Sequence, residues 1–310
     1  MVLISQRFFL ETIKKYCLAH DIAVEMRSGG WLVIMQRDTA RRLAIGYDLG
    51  LNSAVAHQVA NDKAACAEVL ASAGVDAIPH TLFLGARHSP HIPGSDSLEA
   101  MVRLLARHPR GLVVKPNEGT SGELVVRVTT RAQLERAVAR ILATHPSLAI
   151  SPYVEIADEV RVVALDTQAL IVYSKTRPSV VGDGVHSLRE LAHTIAAEQI
   201  RTITDDFDAA ELDAIPRAGE PRLINWRHNL DSGAAPVLLG DGEMRDACIA
   251  LAIKAAQALR IRFASIDVVH ADGRWQILEV NSGVKMEALA RHHPQLVEAA
   301  YHAALDAVFA

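Results

Sequence analysis

The stretch Ser265–Asn281, SIDVVHADGRWQILEVN, decides the fold predicted for this chain. Two apolar runs rich in β-favouring residues flank the turn signal Ala271–Gly273, and this pattern predicts a β-hairpin. In the second run, Glu279 and Asn281 stand two residues apart, so their side chains point to the same face of the strand. Pairing across the turn can bring Asp267 opposite these two residues. The hairpin therefore predicts a cluster of oxygen ligands on an otherwise apolar strand pair.

A cation site is the function that this cluster favours. A buried carboxylate is costly unless it is paired or binds a cation, and Mg²⁺ prefers one or two carboxylates completed by phosphate oxygens and water. The alternative is a surface hairpin whose acidic side chains lie in solvent. Apolar residues flank Asp267 and Glu279 on both strands and disfavour that alternative. We therefore predict that Asp267, Glu279 and Asn281 hold Mg²⁺.

The overall composition excludes several classes of protein. The chain has 310 residues, of which 50% are hydrophobic and 22% are charged, so it can form a globular protein with two or three lobes. Its formal net charge of -4 gives no electrostatic reason to expect nucleic acid as the main partner. Three scattered cysteines without a CxxC pair indicate reduced thiols in a cytoplasmic protein. No apolar run is long enough to predict a membrane span.

Strand-like and helical runs alternate along the chain, and this order predicts an α/β (α+β) fold. The predicted helices are 5–20, 61–74, 97–108, 131–144, 243–259 and one that begins near Pro294. The predicted strands are 22–26, 31–36, 43–45, 111–116, 123–128, 149–154, 159–165, 169–175, 263–270 and 274–280. Because Pro79 and the loop 86–97 mark a boundary, we expect an N-terminal lobe over 1–78, a central lobe over 79–150, and a C-terminal lobe over 151–310 with the main antiparallel sheet.

Lys115 ends an apolar strand over 111–116 and is followed by a glycine-bearing turn. A lysine at a strand end is ordinarily a solvated terminus. The turn over 119–122, however, is small and flexible and offers backbone N–H groups and hydroxyls. It can therefore close over phosphates while the lysine neutralises their charge. No GK[ST] sequence leads into a helix here, which excludes a P-loop.

Cationic side chains recur at the ends of later predicted strands. They are Arg161, Lys175, Arg177 and Arg227, the last of them with Asn229 close by. Taken singly, each is typical of a surface charge. Together with the acidic hairpin, they fit a site for phosphates and a carboxylate-bearing substrate. No Ser-His-Asp or GxSxG motif is recognisable.

With these features in order, the chain resembles the ATP-grasp superfamily of carboxylate–amine ligases. Within it, the chain is most similar to the RimK-like glutamate ligases and to the ATP-grasp module of cyanophycin synthetase, from about Asn52 to Asn281. The segments that carry the resemblance are NDKAACAEVLASAGVDAIPHTLF (61–83), LVVKPNEGTSG (112–122), VVGDGVHSLREL (180–191), WRHNLDSGAAP (226–236), and ASIDVV with ILEVNS (264–269 and 277–282).

The resemblance implies a fold of three lobes in which ATP is held between two α+β lobes. It implies that Lys63 and Lys115 contact the ATP phosphates, and that the hinge that binds adenine lies at residues 153–155. Glu159 is the first choice as partner of the ribose, and Glu155 is the second. The implied ATP-binding residues are Lys63, Lys115, Gly119, Thr120, Ser121, Gly122, Tyr153, Val154, Glu155 and Glu159.

For the reaction itself, the resemblance implies that Arg227 and Asn229 stabilise an acyl-phosphate and its tetrahedral successor. The resemblance also implies that Asp267, Glu279 and Asn281 are metal ligands, and that they hold two ions. The implied contacts to phosphate or substrate are Arg161, Lys175, Arg177, Ser282 and Lys285.

The activity that the resemblance implies is ATP-dependent formation of an amide or peptide bond through an acyl-phosphate, with release of ADP and phosphate. Its cofactors are ATP and Mg²⁺, with Mn²⁺ as the alternative ion. Its substrates are a small-molecule carboxylate and an amine, an amino acid by preference, with no nucleic acid or membrane partner. Homodimers are common among such ligases. Two other functions stay open, an ATP-binding regulatory module without ligase chemistry and a phosphotransferase.

Two segments depart from the family's pattern. Pro152 stands in the hinge where relatives usually have an acidic residue, and it has no N–H to offer adenine. After Asn281 the chain reads SGVKME over 282–287, in place of the usual Pro-Gly turn that shapes the acceptor pocket. The identity of the substrates therefore does not follow from the resemblance.

Overall fold

The computed structural model describes residues 7–85, 97–119, 122–193, 209–224, 228, 230 and 234–310. Four predicted site residues lie outside this described part, namely Thr120, Ser121, Arg227 and Asn229. The chain divides into two compact units, the first made of Met1–Val172 with Gly240–Ala310 and the second of Tyr173–Leu239. The division into three lobes stays a prediction.

Helices and strands alternate as the sequence predicts. The helices are α1 (Phe8–Ala19), α2 (Ala54–Asn61), α3 (Lys63–Ser72), α4 (Leu98–Arg107), α5 (Arg131–Leu142), α6 (Leu188–His193), α7 (Ala209–Asp213), α8 (Glu243–Leu259), α9 (Glu287–Ala290) and α10 (Pro294–Phe309). The strands are β1 (Ala23–Arg27), β2 (Leu32–Arg37), β3 (Ala40–Ile45), β4 (Thr81–Leu84), β5 (Leu112–Pro116), β6 (Val126–Val128), β7 (Ser147–Pro152), β8 (Ile156–Leu165), β9 (Gln168–Thr176), β10 (Ser179–Val181), β11 (Pro221–Leu223), β12 (Ala235–Leu238), β13 (Phe263–Ala271) and β14 (Arg274–Asn281).

Several predicted bounds differ from the observed ones, that of β3 among them, and two of the differences have a visible cause in the backbone. The helix expected over 61–74 is preceded by a separate helix, because Asp62 adopts an extended backbone between α2 and α3. Its side chain accepts a hydrogen bond from Ala65 N and so caps α3. The strand expected over 123–128 begins later, at Val126. The reason is the left-handed φ of 54° at Leu124, which a pleated strand cannot contain.

In the first unit, β4, β7, β5 and β6 form a four-stranded antiparallel sheet in that order. Met101 of α4 and Leu134 of α5 belong to the same buried apolar cluster as Val114 of β5. Lys115 pairs with Ala149 of β7 at the end of β5. The sheet thus holds the lysine at a fixed place just before the glycine-bearing turn.

The larger antiparallel sheet of the first unit is centred on β13, which pairs with β8 on one side and β14 on the other. The first part of β9 lies next to β8. Helix α8 packs against β8, β13 and β14. Ile266 and Val268 of β13 are completely buried. The main antiparallel sheet therefore lies in the C-terminal part of the chain, as the sequence predicts.

The second unit has a small core of its own, formed by Val180, Leu188, Leu212 and Ile224. Strands β10 and β11 pair, and the last residues of β9 pair with β12. A Cβ at Gly182 would lie 2.3 Å from a backbone carbonyl oxygen of the segment before β11, so only glycine fits there. This close approach explains the glycine that follows β10.

The three cysteines, Cys17, Cys66 and Cys248, are buried free thiols, which confirms the prediction of a chain without disulfides. Burial raises the pKa of the Cys66 thiol to about 12, so this thiol is protonated at neutral pH. Among the described residues, no helix is both long and apolar enough to cross a bilayer.

Candidate functional site

A β-bulge in the hairpin β13–β14 sets the position of Glu279. The turn residues Asp272 and Gly273 both have positive φ, 51° and 77°, as a type I′ turn requires. From this turn, pairs run in regular register up to Val268 with Ile277, but the next pair joins Asp267 to Glu279. One residue, Leu278, is therefore extra on β14 and forms the bulge.

The bulge brings the two carboxylates onto one face of the sheet. Without it, Asp267 would pair with Leu278, and Glu279 would point to the opposite face, because side chains alternate along a strand. The predicted meeting of Asp267 and Glu279 is found. Asn281 pairs instead with Ser265, two residues farther along the hairpin.

Arg161 extends this row onto a third strand. It pairs with Asp267 across β8 and β13, so that Arg161, Asp267 and Glu279 lie side by side on three adjacent strands. Its Nε and Nη2 each donate a hydrogen bond of 2.7 Å to one oxygen of the Asp267 carboxylate. Asp267 is only 2% exposed, which rules out the surface-hairpin alternative for this residue. The guanidinium thus provides the buried carboxylate with a charged partner.

Lys63 links the hairpin to the glycine-bearing turn. Its Nζ lies 3.6 Å from Glu279 Oε1 and donates a hydrogen bond of 3.1 Å to the carbonyl oxygen of Gly119. The backbone N–H of Lys63 donates to the carbonyl oxygen of Asn117, and Ala64 N donates to Asn117 Oδ1. The start of α3 is therefore fixed to the segment that follows β5. Asn117 is a site residue that the sequence prediction missed, although its place between Lys115 and the turn could have indicated it.

Lys115 lies among charged residues of this site and is 8% exposed. Burial lowers the pKa of Lys115 to about 8, while Glu279 and Glu159 act in the opposite direction and Lys63 lowers it further. The two lysines and two glutamates thus influence one another electrostatically. This combination of two cations beside carboxylates suits an anionic ligand that approaches together with a metal ion.

The residues at the hairpin fit a magnesium ion that shares its coordination with phosphate. Nδ2 of Asn281 is buried and has no hydrogen-bond partner within the described part of the chain, so this N–H₂ group can donate to an oxygen of a bound phosphate. Asp267 and Glu279 add two carboxylates on the same face. No group of three or more His, Cys, Asp or Glu residues that could hold a metal occurs among the described residues, so a cage made of protein ligands alone is not found there. Two carboxylates and an amide match the ion that usually keeps phosphate and water ligands, Mg²⁺.

The hinge region places Tyr153 and Glu155 together. Tyr153 is buried, its N–H donates to the carbonyl oxygen of Gly111, and its hydroxyl donates to Glu155 Oε2 at 3.0 Å. The guanidinium carbon of Arg127 lies 3.6 Å from the centre of the Tyr153 ring. This cation–π contact was not predicted from the sequence. Val154 is half-buried beside them. Glu155 is exposed whereas Glu159 is buried near Lys115, so the two candidates for the ribose differ in environment.

His80 is a second buried residue beside the lysines that the sequence prediction did not select. Its Nδ1 lies 2.9 Å from the carbonyl oxygen of Ile78, which fixes the proton on that nitrogen. Burial, together with the charges of Lys115 and Lys63, lowers the pKa of His80. A neutral imidazole at this place adds no charge to the site.

In the second unit, Lys175 is buried near the end of β9. Burial lowers the pKa of His228 to about 4, and the positive charges of Arg177 and Lys175 contribute to this shift. These three residues therefore lie close enough to interact. The prediction that Lys175 and Arg177 belong to one cationic group agrees with this environment, while their contact with a substrate stays a prediction.

The segment 282–287, where the sequence departs from the resembling family, is fixed at several points. The Tyr301 hydroxyl donates to the carbonyl oxygen of Val284 at 2.8 Å and accepts from Met286 N at 3.2 Å. Lys285, between them, is exposed. The Glu287 carboxylate accepts hydrogen bonds from the first backbone N–H groups of α1 and from the Tyr47 hydroxyl. Glu287 therefore serves as a cap of α1 rather than as a free acidic group.

Comparison with known proteins adds relatives and fold neighbours. No family model matches the sequence. The ribosomal protein bS6–L-glutamate ligase of Escherichia coli O1:K1 is 26% identical over 275 residues, which cover 88% of this chain and 73% of that protein. The D-alanine–D-alanine ligase of Bacillus anthracis has a TM-score of 0.53 at 15% identity, with 83% of this chain and 71% of that one covered.

A longer protein also matches nearly the whole chain. The bifunctional glutathione synthetase of Pasteurella multocida has a TM-score of 0.51 at 17% identity and covers 95% of this chain. The chain spans 44% of that protein, which is less than half of its length. Both solved structures are of proteins named as a synthetase or a ligase, and at these identities the similarity shows a shared fold.

Proposed function

Since the chain has the ATP-grasp fold and its relatives are ligases that form C–N bonds, we propose that it is an ATP-dependent carboxylate–amine ligase. In this reaction a substrate carboxylate attacks the γ-phosphate of ATP and yields an acyl-phosphate and ADP. The neutral amine then forms the new C–N bond and loses one proton to solvent, while the C–O bond to phosphate breaks and phosphate leaves with the electron pair. The product is an amide or peptide.

The observation that carries this proposal is the convergence of Lys63, Lys115 and Glu279, next to the row that contains Arg161 and Asp267. ATP, the carboxylate and the tetrahedral intermediate are all anionic. Their reaction therefore needs cations and a metal ion directed at one place, and such electrostatic partners stabilise the developing charge. A fold alone would not require this arrangement.

Each group of residues has a proposed role in this reaction. Lys63 and Lys115 bind the ATP phosphates, with the turn Gly119–Gly122 covering them. Asp267, Glu279 and Asn281 would hold Mg²⁺, or Mn²⁺ in its place, which neutralises phosphate charge when bound. The residues proposed to bind the adenosine part are Tyr153, Val154, Glu155 and Glu159. Arg227 and Asn229 are proposed to stabilise the acyl-phosphate, and the residues proposed to contact phosphate or a substrate are Arg161, Lys175, Arg177, Ser282 and Lys285.

The proposed substrates are a small carboxylate and an amino acid that serves as the amine. The relative in Escherichia coli is named for L-glutamate, which makes L-glutamate the first amine to test. We further propose the three-lobe arrangement and a homodimer, which follow from the resemblance to the ligase family, and a cytoplasmic location, which the three free thiols favour.

A second candidate is an ATP-binding module without ligase chemistry. The bidentate pair of Arg161 and Asp267 favours it, because both oxygens of a proposed metal ligand already accept hydrogen bonds. An assay of ADP release separates the two candidates. The purified protein is incubated with ATP, Mg²⁺ and pools of amino acids and small carboxylates, and products are identified by mass spectrometry. An amide formed in equal amount with ADP supports the ligase, whereas ATP binding without ADP from any pool supports the module.

A further inference from the structure

Four polar side chains form a closed network beyond the end of β14. His57 Nδ1 lies 2.9 Å from Asp48 Oδ2 and 2.9 Å from the hydroxyl oxygen of Ser282. His57 Nε2 lies 2.9 Å from Asn61 Nδ2, and the Ser282 hydroxyl lies 3.4 Å from Asn61 Oδ1. The second oxygen of Asp48 accepts a hydrogen bond from Gly50 N. A serine, a histidine and an aspartate thus meet although the sequence contains no motif for such a group.

The contacts define where the imidazole proton lies. Asn61 Nδ2 can only donate, so His57 Nε2 accepts and the proton of the neutral ring is on Nδ1. That proton faces the Asp48 carboxylate, with the Ser282 oxygen as a second acceptor. The hydroxyl hydrogen of Ser282 is then left for Asn61 Oδ1.

The network continues the nucleotide site along the same two segments of chain. Lys63 at the start of α3 approaches Glu279 on β14, and Asn61 at the end of α2 approaches Ser282 just after β14. Three residues of extended chain span about 10 Å, so the network lies about that far along the chain from Glu279. This is the length of a small substrate.

The exposure of the network changes along its length. Ser282 is 1% exposed, whereas the side chain of Asp48 is 17% exposed and that of His57 is 38% exposed. A small molecule can therefore reach Asp48 and His57 from solvent while Ser282 forms the closed end. The network thus borders solvent on one side and the end of β14 on the other.

The network differs from the neighbouring phosphate site in the partners of its carboxylate. On the nucleotide side, Glu279 lies beside Lys63 and Asp267 is paired with Arg161. No lysine or arginine forms a hydrogen bond or ion pair with Asp48, His57 or Ser282 in the ranges that the structure describes. A carboxylate that no lysine or arginine neutralises is an environment that attracts an ammonium group.

We propose that Asp48, His57 and Ser282 form the subsite for the ammonium group of the amine co-substrate, with Asn61 as a positioning residue. This inference rests on the proposed ligase function. Asp48 supplies the negative charge, His57 holds the carboxylate in place, and Ser282 sets the inner limit of the subsite. The amine that fits is a primary amine of an amino acid.

The test separates amine binding from acyl-phosphate formation. Hydroxylamine is mostly uncharged at neutral pH and traps an acyl-phosphate as a hydroxamate, so it needs no ammonium subsite. Wild type and Asp48→Asn are assayed with ATP, Mg²⁺ and pools of small carboxylates, with hydroxylamine or each of the twenty amino acids as the amine. Asp38→Asn is the matched control, because Asp38 lies in the turn between β2 and β3 and its side chain takes no part in the network. Thermal unfolding of each variant reports on the fold.

We expect Asp48→Asn to raise the KM of the amine by about 10- to 100-fold, the range for loss of a charged hydrogen-bond partner. The KM for ATP and the hydroxamate yield of Asp48→Asn should stay within about twofold of wild type. For the control Asp38→Asn, the KM of the amine, the KM for ATP and the hydroxamate yield should all stay within that range. An unchanged amine KM in Asp48→Asn, or an equal loss of hydroxamate and amide, would overturn the subsite alone. Absence of both ADP and hydroxamate from the wild-type protein would overturn the proposed function and the subsite with it.

Discussion

Both oxygens of the Asp267 carboxylate accept hydrogen bonds from Arg161, one from Nε and one from Nη2, each at 2.7 Å. The two residues are 106 positions apart in sequence and pair directly across β8 and β13. A bidentate pair of this kind fixes the direction of the carboxylate as well as its charge. In the proposed enzyme, Asp267 is therefore oriented before any nucleotide binds.

The first prediction concerns the stability of this pair. Arg161→Met should lower the free energy of unfolding by about 3 kcal/mol, because it leaves a buried carboxylate without a partner. The double variant Arg161→Met with Asp267→Leu should recover most of the loss, since it removes the buried charge as well. Urea denaturation of the three proteins measures both changes. A double variant as unstable as the single one would show that the loss comes from packing.

The second prediction concerns the pH dependence of ATP binding. The pKa of Lys115 is lowered from 10.5 to about 8, chiefly by burial, so in the ligand-free protein its charge is lost as pH rises through 8. Phosphates need the charged form, and the Kd for ATP should therefore rise above this pH by up to about tenfold per unit. Binding should also be accompanied by proton uptake, which calorimetry in buffers of different ionisation enthalpy detects.

Lys115→Arg provides the comparison, because arginine keeps its charge over this range. The Kd of the Lys115→Arg protein for ATP should therefore stay constant between about pH 7 and about pH 9.5. For the ligand-free wild type, the unfolded chain binds more protons than the folded chain between pH 8 and 10.5, so stability should rise with pH in that window. A flat Kd for the wild-type protein across the window would contradict the burial of a titrating Lys115 at the phosphate site.

The third prediction concerns Asn117, whose side chain accepts from Ala64 N while its backbone oxygen accepts from Lys63 N. Asn117→Ala leaves the buried N–H of Ala64 without a partner, which should cost about 1–2 kcal/mol of stability. Because the same contact positions Lys63, the KM for ATP should also rise. Glu118→Ala, at the exposed neighbouring position, is the control and should change neither value. An Asn117→Ala protein with an unchanged KM for ATP would show that Lys63 does not depend on this contact.

Much of the fold can be predicted from local sequence pattern. Helix α8 has the predicted bounds, and the hairpin β13–β14 follows from its alternation and its Asp-Gly turn. The hairpin brings Asp267 close to Glu279 in sequence register, but a regular register would pair Asp267 with Leu278. The direct pairing of Asp267 with Glu279 needs the bulge at Leu278, which could not be predicted because an extra residue in one strand leaves no mark on the apolar pattern.

Many of the unpredicted contacts join residues that are distant in sequence. Arg161 meets Asp267 through pairing of strands far apart in the chain, and His57 meets Ser282 across 225 positions. Such contacts depend on which strands and helices become neighbours, and residue type alone does not reveal that. The same holds for Glu287, whose role as a cap of α1 is visible only when both ends of the chain are folded.

The most direct test of the account is the yield of ADP and amide from the wild-type protein and from Glu279→Gln, with ATP, Mg²⁺ and the acid and amine found by the substrate screen. Glu298→Gln is the control, because Glu298 forms its ion pair with Lys15 on α1, away from the nucleotide site. We predict equal amounts of ADP and amide from the wild type and from Glu298→Gln. We predict a rate about 10²–10³-fold lower for Glu279→Gln, with an unchanged unfolding temperature. Full turnover by Glu279→Gln would contradict the account.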